Sequence, residues 1–176
     1  MTTTRTLLRY AALTLAVVAA ALSASAGIKS PRLLTKIAQL TPAPVIVERG
    51  NEMKQAEAAA AQLGATALWG VGTSMEPLYA PQTAIVVKEV AYNQIKKGMT
   101  VVYRKANGRY VAHSVIGEDA RGYIVQGVNN DEPDEVSVNE KNIVGVIAAA
   151  YSANPGTFHT MIAQTGNVNA TAVAMR

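Results

Sequence analysis

The residues whose types and spacing are best suited to a chemical reaction form a short glycine-rich loop, residues 70–77 (GVGTSMEP). Two glycines, two hydroxyl residues and a proline follow a β-like segment, which predicts a tight loop with special backbone conformations. Such a loop can expose the hydroxyl of Ser74 together with the amide N–H groups around it. Ser74 is therefore the candidate nucleophile, and the alternative is a solvated serine in an ordinary turn.

A serine hydroxyl is a poor nucleophile until a neighbouring group takes its proton, and neutral imidazole suits that role near neutral pH. The chain has two histidines. His113 lies in a predicted strand, whereas His159 lies in the C-terminal tail. The sequence favours His113 as the base, although a half-buried strand histidine without any catalytic role is the common alternative.

The sequence pattern of residues 51–150 is typical of a small β domain preceded by a helix. Residues 51–63 are rich in Glu, Lys, Gln and Ala and predict one short helix, which Gly64 is well placed to end. Short segments rich in Val, Ile and Tyr follow, separated by Gly, Asn and Pro, and they predict a mainly antiparallel β domain. The predicted strands are residues 67–71, 84–90, 99–105, 109–117, 122–127 and 143–150.

A hairpin is expected at Asn107-Gly108, the pair favoured in two-residue type I′ turns. If Ala106 faces Arg109, then Arg104 faces Val111 and Val102 faces His113. Lys105 then lies on the opposite side of the hairpin from His113. This register predicts that the hairpin can present only one of the two bases to Ser74.

The N-terminal residues 1–28 resemble an export or membrane signal. Arg5 and Arg9 precede an uncharged, apolar stretch, Tyr10 to Ile28, close to the roughly 20 residues of a spanning helix. Ala24-Ser25-Ala26 also fits the small-x-small pattern of a cleavable leader. We favour a membrane anchor, and a family resemblance of the later motifs implies that the folded part lies on the extracytoplasmic side; the alternative is a secreted or periplasmic protein.

Four regions follow from these patterns. Residues 1–28 are the membrane anchor or signal segment, and the proline-containing residues 29–66 combine a linker with the short helix. Residues 67–150 form the β domain, and residues 151–176, nearly uncharged, form a loosely ordered tail.

Composition excludes several other classes of protein. The chain contains no cysteine, which excludes disulfides, thiolate zinc sites and a cysteine nucleophile. The net charge of +4 is spread thinly, so no basic stripe marks a nucleic-acid groove. With two histidines, a histidine-rich metal site is not expected.

Taken in order, these motifs resemble the signal peptidase family of serine peptidases, in its histidine-using branch, over about residues 70–147. Residues 73–77 (TSMEP) match the nucleophile box, and residues 95–103 (IKKGMTVVY) look like its I-x-x-G-D-V-V-x-Y strand. His113 occupies the position of the family's general base. Residues 127–130 (GVNN) resemble the G-D-N-N box, and counting through it places Asp134 on the third residue of a Ser-His-Asp triad, with Asp131 as the substitute.

The resemblance implies a serine endopeptidase that cleaves exported or membrane-proximal, signal-peptide-like substrates after small residues. Such an enzyme uses no cofactor and no metal, and its partners are a peptide or preprotein substrate and the membrane, with no nucleic acid. Gly72, Thr73 and Met75 are then expected to position the serine and bind the oxyanion. Substrate would bind as an additional β-strand beside the Ser74 loop.

Four departures from the family pattern leave alternatives open. Gln82, Met99 and Val128 stand where the family has the aspartate of a Gly-Asp pair, and Gly72 replaces a small hydroxyl residue. A catalytically degenerate relative that keeps the β domain as a peptide-binding or structural module is one alternative. A self-cleaving repressor-type peptidase with a lysine base is the other, and Lys105 is the lysine to test for that role.

Overall fold

The computed structural model describes residues 37–154. The expected membrane or signal helix in residues 1–28 lies outside the described residues. So do His159 and all of the expected tail beyond residue 154.

The described chain is mainly β, with one helix, as the sequence predicts. Its elements in order are β1 (Val45–Ile46), α1 (Glu52–Leu63), β2 (Thr66–Gly70), β3 (Thr83–Lys88), a 3₁₀ turn (Tyr92–Gln94), β4 (Thr100–Arg104), β5 (Tyr110–Asp119), β6 (Gly122–Gln126) and β7 (Ile143–Ser152). All six predicted strands are present within a few residues of their expected ends, and β1 was not predicted.

The strands form one seven-stranded sheet with the order β2-β3-β7-β4-β5-β6. Its neighbours along this path are antiparallel, and the two-residue β1 is added to β7 in parallel. The last strand therefore lies in the middle of the sheet and joins the pair β2-β3 to the strands β4-β5-β6.

Helix α1 covers one face of the β2-β3 end of the sheet. Its Ala56 and Ala60 are buried against Ala84 and Val86 of β3. The helix ends where Gly64 adopts a left-handed conformation, with φ of 59°, which glycine tolerates without steric cost. Strand β3 is consequently buried on both faces, which explains its continuous apolar sequence.

Two further hydrophobic clusters flank the central strands. One contains Met75 of the glycine-rich loop and Leu78 just after it, together with Ile85, Val102 and Ile147 of the sheet. The second includes Val101, Tyr103, Val115, Tyr123, Val125 and Val138. Because successive strand residues point to opposite faces, Val102 belongs to the first cluster and its neighbours belong to the second.

The hairpin joining β4 and β5 differs from the predicted one by one residue. Val101 faces His113 and Tyr103 faces Val111, so the predicted pairs Val102–His113 and Arg104–Val111 are wrong. Gly108 has φ of 81° and donates its N–H to the Lys105 carbonyl oxygen at 2.8 Å. This is a three-residue loop with a left-handed glycine at its end, and not the two-residue type I′ turn.

The side chain of Asn107 accounts for this choice of turn. Its Oδ1 accepts a hydrogen bond from the Arg109 N–H at 3.1 Å, which stabilises the longer loop. Lys105 therefore continues the alternation of Val101 and Tyr103. The prediction that Lys105 lies on the opposite side of the hairpin from His113 is wrong.

The end of the predicted linker packs on the sheet. Ile37 is buried in the first cluster, and the Leu40 N–H donates to the Gly98 carbonyl oxygen at 3.0 Å. The hydroxyl of Thr41 is hydrogen bonded with that of Thr100 at 2.8 Å. Residues 37–47 are thus part of the folded domain, because these polar groups and Ile37 find partners on it.

Candidate active site

The structure brings Ser74, His113 and Asp134 together in one hydrogen-bonded chain. The Ser74 Oγ lies 3.0 Å from His113 Nε2, and His113 Nδ1 lies 2.7 Å from Asp134 Oδ2. Ser74 and His113 are 39 positions apart in sequence, and His113 and Asp134 are 21 positions apart, yet each pair lies within direct hydrogen-bonding distance. This is the order of contacts found in a serine nucleophile, a base and a carboxylate that orients the base.

Burial fixes the roles of these groups. The side chains of His113 and Asp134 are 6% and 8% exposed, so water competes weakly for their hydrogen bonds. An ionised carboxylate only accepts hydrogen bonds, so the proton of neutral His113 lies on Nδ1 and Nε2 is left to accept one from the Ser74 hydroxyl. This is the tautomer that a general base needs.

The surroundings of Asp134 keep it ionised. Desolvation by burial raises the pKa of Asp134, but hydrogen bonds from His113 and Tyr103 and the charges of His113 and Lys105 outweigh that effect. The pKa of Asp134 is consequently lowered below its ordinary value of 3.8. The carboxylate stays negative at neutral pH, where it can stabilise a protonated imidazole.

The loop that carries Ser74 is positioned by the turn after β6. The Asn129 N–H donates to the Ser74 carbonyl oxygen at 2.7 Å, and the Asn129 Nδ2 donates to the Thr73 carbonyl oxygen at 3.3 Å. Gly127 lies so close that an added Cβ would be 2.8 Å from the Ser74 carbonyl oxygen. The position of the glycine-rich loop thus depends on a glycine and an asparagine more than 50 residues away in sequence.

The three expected positioning residues have different environments. Gly72 and Met75 line a cleft beside Ser74, and Met75 is also buried in the first hydrophobic cluster. Thr73 is exposed, does not line this cleft and contributes its carbonyl oxygen to hydrogen bonds from Glu76 and Asn129. Among the described residues, the amide N–H groups of Ser74 and Met75 donate to no acceptor.

The cleft beside Ser74 has a volume of about 230 Å³ and lies between β2 and the start of β5. Ile85, Val102 and Ile147 of the first hydrophobic cluster also line this cleft, which gives it an apolar surface. Trp69 and Tyr110, both exposed, line it too. An extended peptide with small apolar side chains suits a cleft of this size and chemistry.

The two secondary candidates, Lys105 and Asp131, lie outside the cleft beside Ser74. Lys105 and Asp131 line an open depression formed with the loop 129–136, which also contains Asp134. The positive charge of Lys105 acts on Asp134, whereas the Ser74 hydroxyl is hydrogen bonded with His113. Asp134, and not Asp131, is the carboxylate that contacts His113 Nδ1.

Sequence reasoning missed the contribution of Tyr103. Its hydroxyl donates to Asp134 Oδ2, the same oxygen that contacts His113. In the predicted register Tyr103, like Lys105, lies on the opposite side of the hairpin from His113, whereas in the structure it lies on the same side. The Asn107 side chain, which can stabilise a longer loop, was the signal available for the correct register.

Comparison with known proteins adds no assignment, because no protein-family model and no curated protein matches this chain. Within residues 37–154 no helix is long and apolar enough to cross a membrane. In that same part of the chain, no group of three or more His, Cys, Asp or Glu side chains is arranged to hold a metal ion.

Proposed function

We propose that this protein is a serine endopeptidase of the signal-peptidase type, with Ser74 as nucleophile, His113 as general base and Asp134 as the residue that orients His113. The observation that carries the proposal is the hydrogen-bonded chain from Ser74 Oγ through the His113 ring to Asp134 Oδ2. The resemblance of residues 70–147 to that family supports the same assignment.

The proposed reaction proceeds through an acyl-enzyme. The Ser74 Oγ attacks the carbonyl carbon of the scissile peptide bond while His113 Nε2 takes the hydroxyl proton. His113 then gives this proton to the leaving amine, the C–N bond breaks, and an ester joins the substrate to Ser74. A water molecule, deprotonated by His113, hydrolyses the ester and restores the free serine.

The negative charge that develops on the substrate oxygen needs hydrogen-bond donors. The N–H groups of Ser74 and Met75 are available for this purpose, since they donate to no acceptor among the described residues. A well-placed donor of this kind stabilises the transition state by about 3 to 4 kcal/mol. Gly72 offers no hydroxyl, so in this chain the backbone carries the larger share.

The apolar cleft supports a substrate with small side chains before the cleaved bond. Its aliphatic lining favours alanine-like residues, and the edge strand β2 can pair with an extended peptide. The apolar residues 10–28 support a location at the membrane, with the β domain on the extracytoplasmic side. Exported or membrane-proximal proteins are therefore the proposed substrates.

The test is cleavage of an Ala-x-Ala reporter peptide by the full chain and three variants. Ser74→Ala and His113→Ala should each reduce kcat/KM by about 10⁴-fold or more while the far-UV circular dichroism spectrum is unchanged. Lys105→Ala is the matched control for a lysine base and should stay within about threefold of the wild type, because the charge of Lys105 is the weakest of the effects that lower the pKa of Asp134.

The outcomes separate the three candidate functions. Cleavage that survives in Ser74→Ala or His113→Ala contradicts the Ser-His assignment, and loss confined to Ser74→Ala and Lys105→Ala indicates a lysine dyad. A wild type that binds the reporter without cleaving it is the result expected of a degenerate peptide-binding module.

A further inference from the structure

We propose that Tyr103 is a positioning residue of the site, which holds the Asp134 carboxylate in the orientation that fixes the tautomer of His113. This inference rests on the proposed function for its kinetic consequence, but the structural role can be measured without any substrate.

Asp134 lies in a loop and needs an anchor. Its backbone N–H donates to the Val125 carbonyl oxygen at 2.8 Å, which fixes the main chain but leaves the side chain free to rotate. The side chain has hydrogen bonds from His113 and from Tyr103, and both reach the same oxygen, Oδ2. His113 is the group to be oriented, so the second hydrogen bond is the one available to hold the carboxylate.

Tyr103 is suited to this role because the ring itself is fixed. It is fully buried on β4, in the second hydrophobic cluster, and packs edge-on towards His113 with ring centroids 6.5 Å apart. Strand pairing places it opposite Val111, two residues before His113 on β5. The hydroxyl therefore approaches Asp134 from the rigid sheet and not from the loop.

The chemistry of the hydroxyl supports the same role. Burial raises the pKa of Tyr103, and the hydrogen bond with Asp134 and the negative charge of that carboxylate raise it further. Tyr103 thus remains a neutral O–H donor over the whole range in which a serine peptidase works. A carboxylate with one oxygen shared between a fixed donor and an imidazole has a single preferred orientation.

Tyr123 is a matched control within the same cluster. It is also a buried tyrosine, but its hydroxyl donates to the carbonyl oxygens of Tyr92 and Ile95 at 3.1 and 3.2 Å, away from Asp134. Replacing either tyrosine by phenylalanine keeps the ring and removes one hydroxyl. Only Tyr103→Phe should affect His113.

The first test is nitrogen-15 NMR of labelled histidine in the full chain at a pH where imidazole is neutral. The chain has two histidines, so in a His159→Gln background every histidine signal comes from His113. We expect the wild type to carry its proton on Nδ1, and Tyr103→Phe to shift a measurable fraction to the Nε2-protonated tautomer. Tautomer fractions in Tyr103→Phe equal to those in Tyr123→Phe would overturn the proposal.

The second test is a double-mutant cycle on cleavage of the Ala-x-Ala reporter. Tyr103→Phe should lower kcat/KM about tenfold in the wild type and less than about twofold in Asp134→Asn, because the tyrosine acts through the carboxylate. Equal losses in both backgrounds would assign Tyr103 a purely structural role and contradict the proposal. A wild type without activity contradicts the proposed function, while the tautomer measurement still decides the role of Tyr103.

A measurement on the wild type itself covers the case in which Tyr103→Phe does not fold. The Tyr103 hydroxyl proton and the His113 Hδ1 proton bond to one oxygen, so a nuclear Overhauser effect is expected between them. Its absence, with both protons observed, would contradict the geometry on which the proposal depends.

Discussion

At the scale of single residues, the site depends on one carboxylate that is buried and yet ionised. Asp134 receives hydrogen bonds from His113 and Tyr103 and lies near the charge of Lys105, and together these lower its pKa in spite of burial. A carboxyl whose pKa is lower in the folded state links the stability of the protein to pH. The same interactions that orient His113 therefore stabilise the fold.

This linkage predicts how stability responds to acid. Because the folded-state pKa of Asp134 is depressed, its contribution is present above the unfolded pKa, about 4, and is lost as pH falls through the folded value. The free energy of unfolding of the wild type should exceed that of Asp134→Asn at pH 7. The gap should narrow progressively below about pH 4, as measured by urea denaturation at pH 7, 5 and 3.

Glu135→Gln is the matched control for this experiment, because Glu135 is an exposed carboxylate on the same loop. It should change the free energy of unfolding by less than about 0.5 kcal/mol. A gap between wild type and Asp134→Asn that stays constant from pH 7 to pH 3 would contradict the lowered pKa.

At the scale of elements, Ser74 is placed by two loops that meet face to face. The glycine-rich loop after β2 carries Ser74, and the turn 127–130 after β6 holds this loop through Asn129. Gly127 permits this close approach, since any side chain would meet the Ser74 carbonyl oxygen and Asn130. The spacing between the two loops is therefore set by the absence of a Cβ.

Gly127→Ala tests this dependence. The new methyl would lie 2.8 Å from the Ser74 carbonyl oxygen, so the glycine-rich loop must move. We expect a loss of about 1 to 3 kcal/mol in the free energy of unfolding, and a fall of about 10²-fold in reporter cleavage, because small displacements of reacting groups are costly.

Gly117→Ala serves as the control, because its added Cβ would meet Ile124 at an ordinary 3.8 Å. It should leave cleavage within about twofold of the wild type. Equal effects of the two substitutions on cleavage would show that the spacing between the two loops is unimportant.

The elements were predictable because their signals are local. The alanine-rich run ending at Gly64 and the alternation of apolar residues were enough for α1 and for six strands. The hairpin register was not, since Asn107-Gly108 suits both a two-residue and a three-residue loop, and the choice depends on a hydrogen bond of the Asn107 side chain. A shift of one residue in the register decides whether Tyr103 lies on the same side of the hairpin as His113 or on the opposite side.

The meeting of Ser74, His113 and Asp134 was expected from resemblance and not from local pattern. No periodicity relates residues that are tens of positions apart, and the turn 127–130 carries no sign in its own sequence that it contacts Ser74. The packing of residues 37–42 on the sheet was missed for a similar reason. Prolines 31, 42 and 44 favour a linker, whereas the partners of Leu40 and Thr41 on the sheet lie far along the chain.

At the scale of the whole molecule, the described domain and the apolar N-terminal segment are expected to have separable roles. The described residues, 37–154, form three hydrophobic clusters of their own. The sequence signal for a membrane lies before them, in residues 1–28. Removing the segment should therefore change location more than chemistry.

Two preparations test this separation. Residues 31–176 expressed alone should keep the far-UV circular dichroism of a mainly β protein and cleave the reporter, while the full chain should partition with membranes. If residues 10–28 are instead a leader, N-terminal sequencing of the mature wild type should begin after Ala26, and an uncleaved Ser74→Ala would make that processing autocatalytic. An intact N-terminus in the wild type refutes self-processing at Ala24-Ser25-Ala26.

The central position of β7 has a consequence for the newborn protein. Ser74 lies in the loop between β2 and β3, His113 lies on β5, and β7, which joins these two groups of strands, follows both of them in the sequence. Long-range pairings of this kind form late in folding. A nascent chain that lacks β7 should therefore keep Ser74 and His113 apart, so that the proposed peptidase activity appears only after Ile143–Ser152 has joined the sheet.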